Sequence, residues 1–322
     1  MQISETKRRS LSMFAAGAIF LCSFLGGAHA DDIWPTKPIR LVSPYPPGGT
    51  TDRIGRLFAD YASANLSVPV IVENRAGGGS AVGSMIVARA APDGYTLLLS
   101  SVATHIVAPI ANPGASPDPF AFTNIGFFGG TPSVIVTSSK SDIKTLGQIF
   151  SSDREYTFGT VGNGSVGHLI GSQIAANGKV RMVHVPYTGL DALQDVMARR
   201  IDFAILAWTS VQGLIDSGDL RALGMSTEGR LPGYPNIPSL KEQGVDVVLN
   251  GWLAISAPGG LKPEIAKRLN ALVVQFSSNA EIQKKLVNDI FEARSFSVDE
   301  FDRFIRQQVS EWSPRVQRAM KP

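Results

Sequence analysis

SPYPPGGTTDRIGR, Ser43 to Arg56, joins the β-rich run IRLVSPY (Ile39 to Tyr45) to the helical pattern DRIGRLFADYASANL, which sets Ile54, Leu57, Phe58 and Tyr61 on one face. Beyond it lie a second β-rich run, VPVIVENR, a second helix, AVGSMIVARAAP, and a third strand, YTLLLSS (Tyr95 to Ser101). Strand, helix, strand, helix, strand predicts a parallel sheet with crossover helices. The same order resumes in SVIVTSS, TLGQIF, YTFGTVG, VGHLIGSQIAANG, RMVHVPY, LDALQDVMARR, DFAILA, VQGLIDSG and LRALGMS. Helical patterns follow at Pro263 to Leu272, Ala280 to Val287 and Val298 to Trp312.

Ligands of such sheets gather at the carboxyl ends of the strands, where the strand-to-helix corners lie. In the first corner Pro44, Pro46 and Pro47 fix their own φ, and Gly48 and Gly49 leave space beside the backbone. Thr50, Thr51 or Asp52 can cap the helix that follows, whose first amides point outward. The corner reads as a preformed anion seat or as a tight structural turn.

A second corner, TFGTVGNGSVGHLIGSQIA, places Thr160, Gly162, Asn163, Gly164 and Ser165 at the turn and His168 in the first helical turns. Gly162, Gly164 and Gly167 match G-x-G-x-x-G, but the next strand, ending VHVPYTG, lacks the acidic tip of a dinucleotide fold. Nor is this a nucleophile elbow, because Asn163 stands where G-x-S-x-G requires glycine. The histidines beyond the leader, His105, His168 and His184, show no metal-ligand spacing, and no acid-base constellation is visible. No catalytic residue, metal or cofactor is expected.

The N-terminus carries Lys7, Arg8 and Arg9, an apolar stretch from Met13 to Leu25, and AHA ending at Ala30. That is the form of an export signal cleaved after Ala30. Cys22 follows the bulky Phe20 and Leu21, which argues against a lipidated cysteine, and Arg8-Arg9 is ordinary in any such leader. Without the leader the 30 basic and 27 acidic residues become 27 and 26, a formal charge of +1. The basicity thus belongs largely to the leader and gives no support for nucleic acid as partner. Cys22 is the only cysteine, so the mature chain has no disulfide; with 322 residues, 44% hydrophobic, it can bury a sizeable core. A soluble product is expected.

Taken together, KPIRLVSPYPPGGTTDRIGR, VIVENRAGGGSAVGSMIVARAAPDGYTLLLSS, GTVGNGSVGHL, HVPYTG and GWLAISAPGGLKP resemble the solute-binding proteins of tripartite tricarboxylate transporters, the Bug family. The resemblance runs from about Trp34 to the C-terminus. It implies an α/β, two-lobed periplasmic-binding-protein fold of type II-like flytrap form, each lobe a mainly parallel sheet flanked by helices. It also implies a monomeric periplasmic receptor that captures a small organic solute, commonly a carboxylate, and delivers it to a membrane permease. The chain crossings it implies fall near Thr131 to Val134 and near Asn250, giving lobe 1 as residues 31–132 plus 250–322 and lobe 2 as residues 133–249.

By the same resemblance the first ligand loop falls on Tyr45, Pro46, Pro47, Gly48, Gly49 and Thr50, with Asp52 beginning the helix. The second falls on Thr160, Val161, Gly162, Asn163, Gly164 and Ser165, followed by His168. Closure would come from a solute touching both lobes at once. Departures from the family pattern are Ala76 for a proline and Ser80 for a glycine in NRAGGGS, Thr188 where a basic residue often follows Tyr187, and Asp191 in LDALQD. Tyr187, Thr188 and Asp191 are therefore candidate selectivity residues. Asp191 reads first as a helix N-cap, and second as a carboxylate that selects an amino-bearing solute. Trp252 is expected to pack, and Trp208 to pack or line the cleft. A sensory receptor on the same fold uses the same cleft; an exported enzyme would need a titratable centre that the sequence does not show. Gly164→Val is expected to block the second loop and spare the fold.

Overall fold

The computed structural model describes residues 34–187, 190–231, 233–286 and 295–319. The expected leader with its Ala30 junction, Thr188 and Val287 lie outside these described residues. Two compact units are distinguished, Met1–Thr36 and Lys37–Pro322, and the second carries every element below.

Strand β1 (Ile39–Ser43) leads into helix α1 (Thr50–Leu66), then β2 (Val70–Asn74), α2 (Ala81–Ala88) and β3 (Thr96–Ser101). A π-helical turn (Ala103–Val107) and short α3 (Ala108–Ala111) carry the chain to the long β4 (Phe122–Ser138). Next come α4 (Leu146–Phe150), β5 (Tyr156–Thr160), α5 (Val166–Gly178), β6 (Met182–Pro186), α6 (Ala192–Met197), β7 (Phe203–Ala207), α7 (Trp208–Asp216) and β8 (Leu220–Met225). The chain closes with β9 (Asn250–Pro258), α8 (Pro263–Ser278), α9 (Ala280–Leu286) and α10 (Val298–Ala319).

The strands run in the order β2-β1-β3-β9-β4-β7-β5-β6, with β8 also on β4. Parallel ladders make the two wings, β2-β1-β3 on one side and β6-β5-β7 on the other. The wings meet through antiparallel pairs of β9 and β4. Strand β4 is shared: Phe122 to Pro132 pairs with β9, and from Ser133 its neighbours are β7 and β8. At the fork the Ser226 hydroxyl accepts from Ser133 N–H at 2.9 Å and donates to Leu249 O at 2.9 Å.

Sequence periodicity starts this strand at Ser133, eleven residues late by the observed bounds Phe122–Ser138. The missed half, FTNIGFFGGTP, contains three glycines and a proline and breaks its register between Asn124 and Gly126 and again between Phe127 and Gly129. Those bulges destroy the two-residue alternation. Gly126 is required by close packing, since a Cβ there would stand 2.9 Å from the Val273 side chain of α8.

The principal core joins both wings. It takes Val102 at the start of the π-helical turn and Ile106 and Val107 within it, Leu169, Ile170 and Ile174 from α5, and Phe301, Ile305, Trp312 and Val316 from α10. The last four lie on one face of α10, which packs on the π-helical turn, on β4 and on α5. Trp252 is buried in this cluster, with its ring 5.8 Å from that of His105. Trp208 is buried beneath Tyr234, ring centres 4.4 Å apart, so it packs and does not line an opening.

Candidate functional site

The first corner follows β1. Pro46, Pro47, Gly48 and Gly49 are exposed, and nothing stands within 4 Å of a Cβ placed on either glycine. Gly49, in extended conformation, holds the N-cap position of α1, so Thr50 and Thr51 lie inside the helix and do not take the capping role open to them. Asp52, the third helical residue, instead reaches back and accepts from Gly48 N–H at 3.1 Å. Its carboxylate also accepts from Arg56 Nε and Nη2 at 3.0 Å each and from Asn74 Nδ2 at 2.9 Å. Burial alone would raise the pKa of Asp52, but the bonds from Arg56, Asn74 and Gly48 bring it below the ordinary carboxylate value. Asn74 donates in addition to Tyr45 O at 3.1 Å, and the Tyr45 hydroxyl lies 2.6 Å from Ser101 Oγ. Asp52, expected in the ligand set, is thus turned inward and engaged by the loop's own frame.

The second corner follows β5. Ser165 caps α5, accepting from His168 N–H at 3.3 Å, and His168 Nδ1 accepts from Gly164 N–H at 3.0 Å. Thr160 Oγ1 accepts from Gly162 N–H at 3.2 Å and lies 2.7 Å from His184 Nε2. The His168 and His184 rings stack with centres 4.0 Å apart and planes 11° from parallel. Burial lowers the pKa of His168; burial, then the neighbouring His168, lowers that of His184 to about 4, so both rings are neutral at neutral pH. Val161 and Asn163 are exposed.

Gly164 adopts φ +72°, and a Cβ on it would stand 2.7 Å from Val107 Cγ1. Gly164→Val therefore strains the backbone and collides with the π-helical turn. The expectation that this substitution spares the fold is corrected on that ground.

Of the candidate selectivity residues, Tyr187 donates its hydroxyl to Asp195 Oδ2 at 2.7 Å and its amide to Thr160 O at 2.9 Å. Burial, then Asp195, pushes the phenol up to about 12. Asp191 holds the N-cap position of α6 in helical conformation with no side-chain cap bond, so its expected capping role is not realised. Thr188 is outside the described residues.

Sequence reading missed the buried polar chain behind the first loop. His105 Nδ1 lies 2.8 Å from Thr104 Oγ1, and its Nε2 lies 3.1 Å from Asn124 Oδ1. Asn124 donates to Asp302 Oδ1 at 3.1 Å, and Ser256 donates to Asn124 Oδ1 at 3.2 Å. Ser101 N–H bonds Thr104 Oγ1 at 2.8 Å, which ties the chain to Tyr45. A histidine within the apolar run HIVAPI was its one signal in the sequence. Among the described residues no group of three or more histidine, cysteine, aspartate or glutamate side chains is placed to hold a metal, and no helix is long and apolar enough to cross a membrane.

Two parallel wings joined by shared antiparallel strands, each with a glycine-rich helix start at its strand ends, make the α/β fold of periplasmic solute-binding proteins. Within that class, the chain belongs to the tripartite tricarboxylate transporter receptor family, TctC, whose model matches residues 54–320. A Bordetella pertussis relative, BugT, is 30% identical over 297 residues, covering 88% of this chain and 89% of BugT. A Pseudomonas protein from the tcbD-tcbE intergenic region is 33% identical over 252 residues, 74% of each chain. Among solved structures, an R. palustris protein with adipate superposes with TM-score 0.78 at 26% identity, covering 89% of this chain and 98% of that one. This is a family of periplasmic transporter receptors, binding proteins rather than enzymes.

Proposed function

We propose that the chain is a receptor for a small organic acid, held between the first loop (Tyr45 to Thr50) and the second (Thr160 to Ser165) and delivered to a membrane permease of the tripartite tricarboxylate type. The observation that carries this reading is the likeness of the two loops. In each, a glycine in left-handed conformation precedes a helix whose third residue is tied back to it, at Gly48 with Asp52 and at Gly164 with His168. The amides of the first helical turn have no partner within their own helix, and a carboxylate supplies acceptors for both. Relatives solved with adipate and with malate favour a dicarboxylate. Lobe 1 then comprises residues 31–132 plus 250–322 and lobe 2 residues 133–249, consistent with the change of partners along β4 between Pro132 and Ser133. The mature receptor starts after Ala30 in the periplasm and works as a monomer without a cofactor.

The test is a thermal-shift and calorimetric screen of residues 31–322 against mono-, di- and tricarboxylates, amino acids and amides. A solute at 100 times its dissociation constant adds roughly 2.7 kcal/mol to stability. Gly49→Val is the control, because Gly49 is extended and a side chain there meets nothing within 4 Å. It should fold normally and cover the start of α1. Full affinity in Gly49→Val would remove the first loop from the site; a response to amino-bearing compounds alone would displace the acid in favour of a site built on Asp191.

A further inference from the structure

We propose that His168 is a positioning residue of the second loop, as Asp52 is of the first, each fixing the loop by holding the amide of the left-handed glycine before its helix. The proposal rests on the reading that these loops seat the solute.

The two corners share no side chains at this position, yet they share a geometry. The third residue of α1, Asp52, accepts from the amide four residues back, Gly48 N–H, at 3.1 Å. The third residue of α5, His168, accepts from the amide four residues back, Gly164 N–H, at 3.0 Å. The held glycines have φ +91° and +72°, and each is followed by an extended N-cap, Gly49 or Ser165. Tying that amide back fixes the direction in which the chain enters the helix, and with it the aim of the unpaired amides of the first turn. Neither acceptor atom is left for a solute.

The choice of acceptor differs for an electrostatic reason. The charge of Asp52 is met by Arg56 and by Asn74. Among the described residues His168 has no charged partner: its ring is stacked on His184, which is in turn bonded to Thr160. A carboxylate at this place would set an unbalanced negative charge beside an anion seat. A neutral imidazole performs the same hold without charge, and accepting at Nδ1 puts the ring proton on Nε2.

The discriminating pair is His168→Asn, whose Oδ1 replaces Nδ1 as acceptor, and His168→Phe, which keeps a ring and removes the acceptor. Exchange of the Gly164 amide is followed by NMR without solute, and binding of malate and of adipate by calorimetry. A net hydrogen bond is worth about one order of magnitude in an equilibrium. Exchange at Gly164 should therefore quicken about tenfold in His168→Phe while affinity falls about tenfold, and His168→Asn should restore both. Unchanged exchange in His168→Phe overturns the hold. Faster exchange with undiminished affinity, or failure of His168→Asn to restore it, overturns the positioning role. If the wild-type protein takes up neither acid, the receptor reading for these acids fails, and the exchange arm still decides whether His168 holds the loop.

Discussion

Acid should weaken this protein in a measurable share through one buried ring, His105. Its Nε2 faces Asn124 Oδ1, and Asn124 is oriented by the hydrogen bond its amide donates to Asp302, so the neutral ring carries its proton on Nε2 and leaves Nδ1 as the unprotonated nitrogen beside Thr104 Oγ1. Burial pushes the pKa from 6.5 to about 4, with the Asn124 bond acting in the opposite direction. The folded pKa lies below the unfolded one, so the fold favours the neutral ring. That contribution is complete above pH 6.5, declines as pH falls, and is gone below about pH 4. A drop from 6.5 to about 4 corresponds to about 3 kcal/mol in full, of which about 2 kcal/mol is lost by roughly pH 5. The assay is urea unfolding of wild type and His105→Gln at steps from about pH 7.5 to 4.5, comparing slopes and not absolute stabilities. Carboxylates and the other histidines titrate alike in both, so the difference in slope isolates His105. Parallel loss of stability in the two proteins would refute the assignment of a neutral, buried His105.

Asp52→Ala leaves Gly48 N–H without its acceptor and Asn74 with Tyr45 O alone, and should cost about 2–3 kcal/mol in urea unfolding. Its wild-type contribution is held above the ordinary carboxylate range and is lost as pH falls through the lowered pKa, so the gap to Asp52→Ala should narrow in acid. Ser165→Ala removes the cap of α5 and should cost about 1 kcal/mol, whereas Ser165→Asp should retain it. Ile305→Ala opens a cavity where α10 meets the shared core and should cost about 2–5 kcal/mol, read as a lower unfolding midpoint for the whole chain.

The wings were legible because β1, β2 and β3 are short apolar strands alternating with helices of clear period, and because proline and glycine mark the corners. The centre was not. Half of β4 hides behind Gly126, Gly129, Gly130 and Pro132, and its partner β9 lies far down the chain, beyond the reach of local pattern. Within the corners, residue type pointed to the right places and said little of roles. Asp52 and Asp191 both look like helix-start carboxylates, yet one is buried in four hydrogen bonds and the other makes no cap bond. That difference depends on Arg56 and Asn74, brought to Asp52 by the helical turn and by the pairing of β1 with β2.

The sharing of β4 also bears on the order in which the chain assembles. Strand β3 has β9 as its neighbour on the side away from β1, and β9 begins only at Asn250. During synthesis the first wing therefore waits with an open edge until more than three quarters of the polypeptide has been made. Pairings so distant in sequence form slowly, because a long loop must close before any contact rewards it. Completion of β4 by β9 is thus the event that commits the chain to its final form.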